Sequence, residues 1–402
     1  MRPIRLVGLA ALLLALLPTG PLAAQLNLGV HNVGVSFGNS REWTGIRFNF
    51  RDNEVDRVTG LNVTFWMPAK DGYGARRVEG IAIGVAPTAE TMHGVSVGIA
   101  SVVTKRELVG IQAATAVVSN GNIRGATVGI LATVANRSIS GITVGGLATV
   151  ANRDIRGISA GGFATVANGD IRGIGLGGLG AVANGDARGV MVGGLGAVVN
   201  KDARGILVGG LGTVVNGQAK GILFGGLGAV ANGGIDGVGL GGLAVVSNGR
   251  VRWVSASLLS VVANGGIDGV SASGLATVSD GPVRGIVASG LATVGGDVEG
   301  VSVSGLATVG SGRVTGLHIG GLAVVGGDQI TGLAASIGRT ETRELRGVAI
   351  GAYNRVRREH RGVTIGIYNR SRALHGFQLG VLNFAENAHG FGRWLPILNY
   401  HR

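Results

Sequence analysis

The sequence contains no cysteine, which excludes disulfide bonds, thiolate metal sites, cysteine nucleophiles and a lipid-anchored N-terminal cysteine. Aromatic residues make up only 4% of the chain and charged residues only 14%, whereas hydrophobic residues reach 46%. A disordered chain has the opposite balance, with much charge and little apolar content. The chain is therefore expected to fold by burying apolar surface, and it must do so mainly with small side chains.

The abundant residue is glycine, which occupies 78 of the 402 positions. It does not follow the G-X-Y period of collagen, so a collagen triple helix is excluded. Instead the chain repeats a unit of sixteen residues, and the glycine that opens each unit, here called the marker glycine, recurs from Gly141 to Gly237. At spacings of fourteen to sixteen residues the marker glycines extend from Gly80 to Gly390, with Trp253 in place of one of them. Such self-similarity indicates a repeat architecture rather than separate globular domains.

The N-terminus has the pattern of a secretory signal. Arg2 and Arg5 precede an apolar run over residues 6–17, and small residues end at Ala24. We therefore predict that residues 1–24 are a signal peptide. The mature protein is then exported to the cell envelope, the outer membrane or the cell surface.

Residues 25–79 hold more charged and aromatic residues than the repeats and are predicted to form an N-terminal cap. Apolar alternation from Ile46 to Phe50, a polar turn at Asp52 and a second apolar stretch from Val55 indicate a β-hairpin within it. A terminal repeat cannot bury its outer face against a neighbour, so caps are expected to be atypical. The predicted segments are a signal peptide, an N-terminal cap, the repeats, and a terminal repeat with its cap, at residues 1–24, 25–79, 80–376 and 377–402.

Within a repeat the large apolar residues keep fixed positions relative to the marker glycine. Around Gly173 they lie two residues before it and six and nine residues after it, and asparagine lies eleven after it: Ile171, Leu179, Val182 and Asn184. β-Branched residues in this setting are typical of strands, and no helical period competes. Asn-Gly steps indicate turns. We therefore predict an all-β fold built from units of about sixteen residues.

Two architectures fit this pattern. In a β-solenoid each repeat is one coil of two short strands, turning at the central Gly-Gly and at the Asn-Gly, and coils stack at ~4.8 Å so that like residues form columns. The large apolar residues of each repeat, leucine and valine among them, would then fill a narrow core. In an antiparallel outer-membrane β-barrel each repeat is one long strand, and its tilted length of roughly 28 Å suits a bilayer.

The composition of the repeats favours the solenoid. A barrel needs a polar lumen and aromatic rims, and its strands alternate between short turns and long loops, whereas these repeats are apolar and all alike. In a solenoid, arginines such as Arg172 would stack as like charges. An aspartate two residues earlier, such as Asp170, offsets them, as do Asp236 and Asp268 within the arginine column. The solenoid is the prediction, and the barrel remains the alternative.

The motifs that suggest catalysis or cofactor binding lack their structural context. G-x-G-x-x-G at Gly173 and at Gly237 lies inside a β-repeat, without the helix N-terminus that a dinucleotide site requires. His375 and His389 share the position before a marker glycine, but a metal site needs a third ligand. Acidic residues pair with arginines in the connections between strands rather than with other acidic residues, so acid–base catalysis is not indicated. No enzyme activity, cofactor or metal is therefore predicted.

The functional signal of the chain is its basic C-terminal third. Between residues 339 and 402 there are eleven arginines and four acidic residues. Because arginine is suited to phosphate and carboxylate groups, we expect contact with an anionic lipid or polysaccharide of the envelope, with a solvated basic face as the alternative. Nucleic acid is not expected in an exported chain without an aromatic stacking platform. The candidate anion contacts form two clusters, Arg355, Arg357, Arg358 and Arg361, and Arg370 and Arg372.

The C-terminal repeats also carry a family resemblance. From Gly376, the stretch GFQLGVLNFA matches the unit G-x-Q-x-G-x-x-N-x-A, and residues 396–399 match a closing Pro-x-x-Asn. The chain resembles a family of bacterial exported surface-repeat proteins first noted in spirochaetes, and its other repeats match the looser form G-I-x-V-G-G-L. The resemblance implies surface or envelope placement and brings no established activity or site residues.

These observations predict a non-catalytic structural or interaction protein of the bacterial cell envelope or surface. It would present a long regular β surface, and its basic C-terminal third would contact anionic polymers or lipid. The alternative, which follows from the barrel, is an outer-membrane pore.

Overall fold

The computed structural model describes residues 25–69 and 74–401, so the predicted signal peptide lies outside the described residues. Strands form 76% of the chain and helix 1%, and the chain winds as a β-solenoid of about 20 turns with ~16-residue repeats. The prediction of an all-β solenoid is confirmed. Successive coils pair in parallel, so the antiparallel barrel, on which the pore alternative depended, is wrong. The described residues divide into two compact units, one up to Leu147 and one from Ala148.

The first unit begins, in its described part, with an antiparallel pair of strands and continues as parallel coils. Leu26 lies opposite Phe37 in the antiparallel pair. Each later strand of the unit pairs in parallel with the next one along the chain. Its described strands are β1 Leu26–Val30, β2 Val33–Phe37, β3 Glu42–Arg51, β4 Val55–Trp66, β5 Ala75–Gly84, β6 Thr88–Ser119, β7 Asn122–Ala135 and β8 Ile139–Gly145.

The predicted hairpin across Asp52 is wrong. The strands on its two sides, β3 and β4, are parallel, with Ile46 opposite Leu61. The chain does turn near Asp52, but it passes on to the next coil because this carboxylate is buried inside. There it accepts hydrogen bonds from Asn62 Nδ2 at 2.8 Å and from Thr64 Oγ1 at 2.7 Å. The hairpin that caps this part of the chain is β1–β2 instead.

The second unit alternates long and short strands as far as β30, and longer strands follow. The last strand, β34, pairs antiparallel with β33, with Phe377 opposite Tyr400. Its described elements are β9 Ala148–Ala151, β10 Ile155–Gly161, β11 Ala164–Ala167, β12 Ile171–Gly177, β13 Gly180–Ala183, β14 Ala187–Gly193, β15 Gly196–Val199, β16 Ala203–Gly209, β17 Gly212–Val215, β18 Ala219–Gly225, β19 Gly228–Ala231, β20 Ile235–Gly241, β21 Ala244–Ser247, β22 Val251–Ser257, β23 Ser260–Ala263, β24 Ile267–Ser273, β25 Ala276–Val278, β26 Val283–Ser289, β27 Ala292–Gly295, β28 Val298–Ser304, β29 Ala307–Gly310, β30 Arg313–Gly320, β31 Ala323–Ser336, β32 Arg339–Ile350, β33 Tyr353–Ala385, a 3₁₀ helix Gly390–Arg393 and β34 Trp394–His401.

A single coil shows how the sequence builds the solenoid. After β12 the chain turns at Gly178, runs through β13 and turns again at Asn184. β12 pairs in parallel with β10 before it and β14 after it, so that Gly173 lies between Gly157 and Gly189. The two predicted turns are therefore confirmed, and residues one repeat apart form columns.

The core of the coil is narrower than the sequence suggests. The buried residues of this coil are mostly small: Ile171, Gly175, Gly177, Ala181 and Ala183. The expectation that leucine and valine columns fill the core is wrong, because Leu179 is 48% exposed and Val182 is half-buried on the outside. A Cβ atom on Gly177 would lie 1.9 Å from the carbonyl oxygen of Gly180. The turn after β12 thus leaves no room for a side chain, whereas the core between the strands holds larger residues, such as Met191 and Leu207 in the next two coils.

The marker glycine is required by both its backbone angle and its surroundings. Gly173 has a φ of +120°, a region that side-chain-bearing residues rarely adopt. A Cβ atom there would lie 2.2 Å from the carbonyl oxygen of Gly157 in the preceding coil. Trp253 takes this position in its own coil with a φ of +82°, and its side chain points into solvent. The recurrence of glycine therefore follows from the stacking distance of the coils.

The asparagines and the charged residues of the coils form columns on the outside. In the second unit, asparagine side chains donate from Nδ2 to Oδ1 of the preceding coil at 2.7–3.2 Å, which links Asn152, Asn168, Asn184, Asn200, Asn216, Asn232, Asn248 and Asn264. Arg172 lies 2.8 Å from Asp170, and Arg252 lies 3.8 Å from Asp236. The predicted compensation of the arginine column is confirmed. Exposed pairs of this kind contribute at most about 1 kcal/mol each, so their effect is to remove repulsion.

The marker glycine can be tested against a matched glycine in the same coil. Gly173→Ala should destabilise the fold by about 2–3 kcal/mol, because the methyl group meets the Gly157 carbonyl at a positive φ. Gly180→Ala should change stability by less than about 0.5 kcal/mol, since the nearest atom to its Cβ would be the Gly196 carbonyl oxygen at 3.8 Å and Ala164 holds that position in the preceding coil. Denaturant unfolding measures both variants. Equal effects would contradict the assigned role.

Removal of one whole coil, residues 173–188, tests whether the stacking is modular. The stability of a repeat array is roughly a sum of coil and interface terms, and Gly189 would stack on Gly157 as Gly173 does. We expect the shortened protein to fold, to lose ~4.8 Å of length and to unfold at nearly the same denaturant concentration. Deletion of residues 173–204 should behave in the same way. Circular dichroism and unfolding would refute modular stacking if the single deletion misfolds while the double deletion folds.

Candidate anion-binding site

In the last coils asparagine occupies a column inside the solenoid, the one that contains Thr340 in the preceding coil. Asn354, Asn369 and Asn383 each lie seven residues after a marker glycine, and all three are buried. Asn354 donates to Asn369 at 2.8 Å, and Asn369 donates to Asn383 at 2.7 Å. Asn354 and Asn369 also donate to main-chain carbonyl groups at 2.9 Å. These buried amide donors are therefore satisfied, and they fix which neighbouring residues face outward.

The buried carboxylate of Glu341, on β32, forms ion pairs with three arginines. It lies 3.3 Å from Arg339, 3.5 Å from Arg355 and 2.9 Å from Nε of Arg357. Its side chain is only 9% exposed, whereas those of the three arginines are 40–54% exposed. A single negative charge cannot neutralise three guanidinium groups, so this cluster is positive towards solvent.

Four of the six candidate arginines line one surface pocket: Arg355, Arg357, Arg370 and Arg372. The pocket has a volume of about 300 Å³ and is completed by Val356 and Glu386. Glu386 lies 3.3 Å from Arg370 and 3.8 Å from Arg372. Two carboxylates, from Glu341 and Glu386, therefore face four guanidinium groups, each of which has five N–H donors. This arrangement leaves charge and hydrogen-bond donors for an additional anion.

The other two candidate arginines lie outside the pocket. Arg358 pairs with Glu344 at 3.3 Å, and Arg361 pairs with Glu359 at 2.7 Å. Both arginines are well exposed, as expected for solvated surface charges. The pocket therefore combines members of both sequence clusters from adjacent coils.

A row of stacked aromatic rings lies on the same strands. The ring centroids of Tyr353 and Tyr368 are 5.5 Å apart, and those of Tyr368 and Trp394 are 6.2 Å apart. The guanidinium carbon of Arg370 lies 5.4 Å from the ring centroid of Phe384. Because stacked rings cover each other's faces, this row stiffens the surface beside the pocket rather than offering flat platforms to a ligand.

Sequence reasoning missed the two glutamates and the aromatic row. Glu341 precedes Arg355 by fourteen residues and is its register partner in the neighbouring strand. Glu386 follows Arg372 by the same number of residues. The shortened marker spacing in this part of the chain is the signal that could have paired them.

The histidines of this region do not form a metal site. His375 and His389, which share a repeat position, are both exposed. Within residues 25–69 and 74–401, no three histidine, aspartate or glutamate side chains are grouped so that they could hold a metal ion. His360 is buried in the column of Leu345. The pKa of His360 is lowered to about 4, mainly by burial. A main-chain hydrogen bond with Gly362 raises this pKa, and the charge of His375 lowers it.

The buried histidine should make stability depend on pH. Between about pH 6.5 and pH 4 the unfolded chain binds a proton at His360 that the folded chain does not, so stability falls as the pH falls through this window. His360→Leu, which copies Leu345 of the adjacent coil, should reduce this loss by about 2–3 kcal/mol between pH 7 and pH 4. Denaturant unfolding of both proteins across that range measures the difference. Parallel stability curves would contradict the assignment.

The described part of the chain contains no helix with the length and apolar character needed to cross a membrane. No protein-family model, curated protein or solved structure matches the chain.

Proposed function

We propose that this protein is a non-catalytic interaction protein of the bacterial cell envelope or surface. In this proposal the arginine-lined pocket binds phosphate or carboxylate groups of anionic envelope polymers or lipid. The observation that supports it most directly is the ratio of charges at the pocket, where four guanidinium groups share Glu341 and Glu386. Export is the expectation from the signal sequence, and the repeat resemblance points to the same placement.

The chemistry of the pocket favours binding over catalysis. Guanidinium groups stay protonated at any physiological pH, so they donate hydrogen bonds but do not exchange protons with a substrate. Both carboxylates form ion pairs with arginines, so neither is free to contact a bound ligand. A planar guanidinium matches the two oxygens of a phosphate or carboxylate, and several on one wall would hold an anionic group in a defined orientation.

The surface around the pocket suits an extended ligand. Arg355 and Arg370 belong to successive coils of β33, so they repeat along the solenoid axis at roughly the strand spacing of 4.8 Å. The stacked row from Tyr353 to Trp394 holds these strands in place. A polymer with regularly spaced anionic groups could therefore engage more than one arginine at a time, which increases its apparent affinity.

The pocket can be tested with two variants that change net charge equally. Arg370→Gln with Arg372→Gln removes two pocket arginines, and Arg358→Gln with Arg361→Gln removes two arginines that lie outside it. The first should weaken binding about tenfold, since the two lost charged contacts together are worth on the order of 1–2 kcal/mol. The second should weaken it by less than about twofold at moderate salt, where distant charges are screened.

Binding is measured separately to vesicles containing an anionic phospholipid and to a soluble uronic acid polysaccharide, which distinguishes phosphate from carboxylate sources. Equal losses in the two variants would show that only net charge matters. Unchanged binding by the pocket variant would place the interaction elsewhere.

A further inference from the structure

The four arginines of the pocket form a two-by-two array on the outer face of β33. Two belong to one coil and two to the next: Arg355 and Arg357, then Arg370 and Arg372. The hydrogen bond from Asn354 to Asn369 makes these two residues neighbours in adjacent coils. The residues that follow them, Arg355 and Arg370, are therefore neighbours as well. The array is thus spaced at roughly 4.8 Å between coils and at roughly 6.6 Å between alternate residues of a strand.

The array carries an excess of two positive charges. Glu341 forms ion pairs with the two arginines of the first coil, and Glu386 forms ion pairs with the two of the second coil. Four guanidinium groups are therefore balanced by two carboxylates at a pocket of about 300 Å³. Arg339 also contacts Glu341, so the positive excess around the pocket is not smaller than this count. An anion of charge −2 would complete the balance.

The chemistry of the array distinguishes between the common anionic groups. A phosphate monoester carries a charge close to −2 at neutral pH and has three terminal oxygens, so guanidinium groups can approach it from several directions. A phosphate diester carries one charge, and its second substituent takes the place of one terminal oxygen. A carboxylate also carries one charge, and its two oxygens lie in one plane, which suits a single guanidinium group. Both the charge and the oxygen geometry therefore favour the monoester.

We infer that the pocket selects the terminal phosphate of a monoester, carried by a sugar or by a lipid headgroup, over phosphate diesters and carboxylates. This inference rests on the proposed function, because it uses the same arginines, and it adds the class of anion that they recognise. The arginine side chains are 40–74% exposed, so the molecule that carries the phosphate can remain outside the pocket.

Binding of the full chain to two kinds of phosphatidylcholine vesicle tests this selectivity. One kind contains phosphatidic acid, a lipid monoester, and the other contains twice the mole fraction of phosphatidylglycerol, a lipid diester. The two surfaces then carry a similar total charge, so attraction to surface charge alone is the same for both. We expect wild type to bind the phosphatidic acid vesicles about fivefold more tightly at moderate salt.

Two variants with equal net charge locate the selectivity on the protein. Arg370→Gln with Arg372→Gln removes half of the array and should bind the two kinds of vesicle within about twofold of each other. Arg358→Gln with Arg361→Gln removes two arginines that pair with acidic residues outside the pocket, and this variant should keep the preference of wild type. A preference that survives in the pocket variant would overturn the inference.

A soluble competitor distinguishes the two sources of the monoester. Glucose 1-phosphate should displace wild type from the phosphatidic acid vesicles, whereas diethyl phosphate at the same concentration should not. A preference for phosphatidic acid without this displacement would support the monoester and assign the lipid as its source. Equal binding of wild type to the two kinds of vesicle would overturn the inference and leave anion binding at the pocket in place. Absence of binding both to these vesicles and to the uronic acid polysaccharide would instead overturn the proposed function.

Discussion

The close approach of each marker glycine to the main-chain carbonyl of the marker glycine before it is the contact on which this fold depends. At Gly173 there is room for a hydrogen atom and for nothing larger. A side chain there would push the coils apart and lengthen the parallel hydrogen bonds of the strand that contains it. With the coils in contact, residues one repeat apart become neighbours. The asparagine ladder, the paired charges and the core of small residues all follow from this single distance.

Stacking of this kind turns a local change in the sequence into a surface feature several coils long. One repeat position that becomes alanine in three successive coils lowers the surface at Ala256, Ala272 and Ala288. Near the C-terminus, arginines of two adjacent coils, Arg355 and Arg370 among them, line one pocket. Both surface features therefore arise because residues one repeat apart are neighbours.

The repeat period and the residue types predict the solenoid, its two turns and the pairing of Asp170 with Arg172, because these features depend on spacing alone. They do not decide which face of a strand points inward, because both faces of the repeat carry apolar residues. Burial of Leu179 is the ordinary expectation for a large apolar side chain. Leu179 is exposed because it lies in the turn between β12 and β13, and the spacing of apolar residues does not show that this position is outside the core.

The residues of the arginine pocket were partly predictable from the sequence. An excess of arginine is visible in the composition, so four of the pocket residues were among the candidates. Their acidic partners were not found, because the register that sets Glu341 beside Arg355 depends on the length of one coil. The parallel pairing across Asp52 also escaped prediction, since a polar turn between two strands has the same local sequence whether the chain folds back or moves on.

The outer asparagine column has a consequence for the chemical lifetime of the protein. Most of its asparagines are followed by glycine, the sequence in which deamidation is fastest, because the glycine nitrogen can attack the neighbouring amide carbon. That attack requires both groups to rotate. Here the amide of Asn184 is held between Asn168 and Asn200, and the nitrogen of Gly185 donates to the carbonyl of Gly169 at 2.8 Å. The Asn-Gly pairs of this column are thus held in a geometry that does not allow the deamidation reaction. The covalent integrity of the chain therefore depends on its coils remaining stacked.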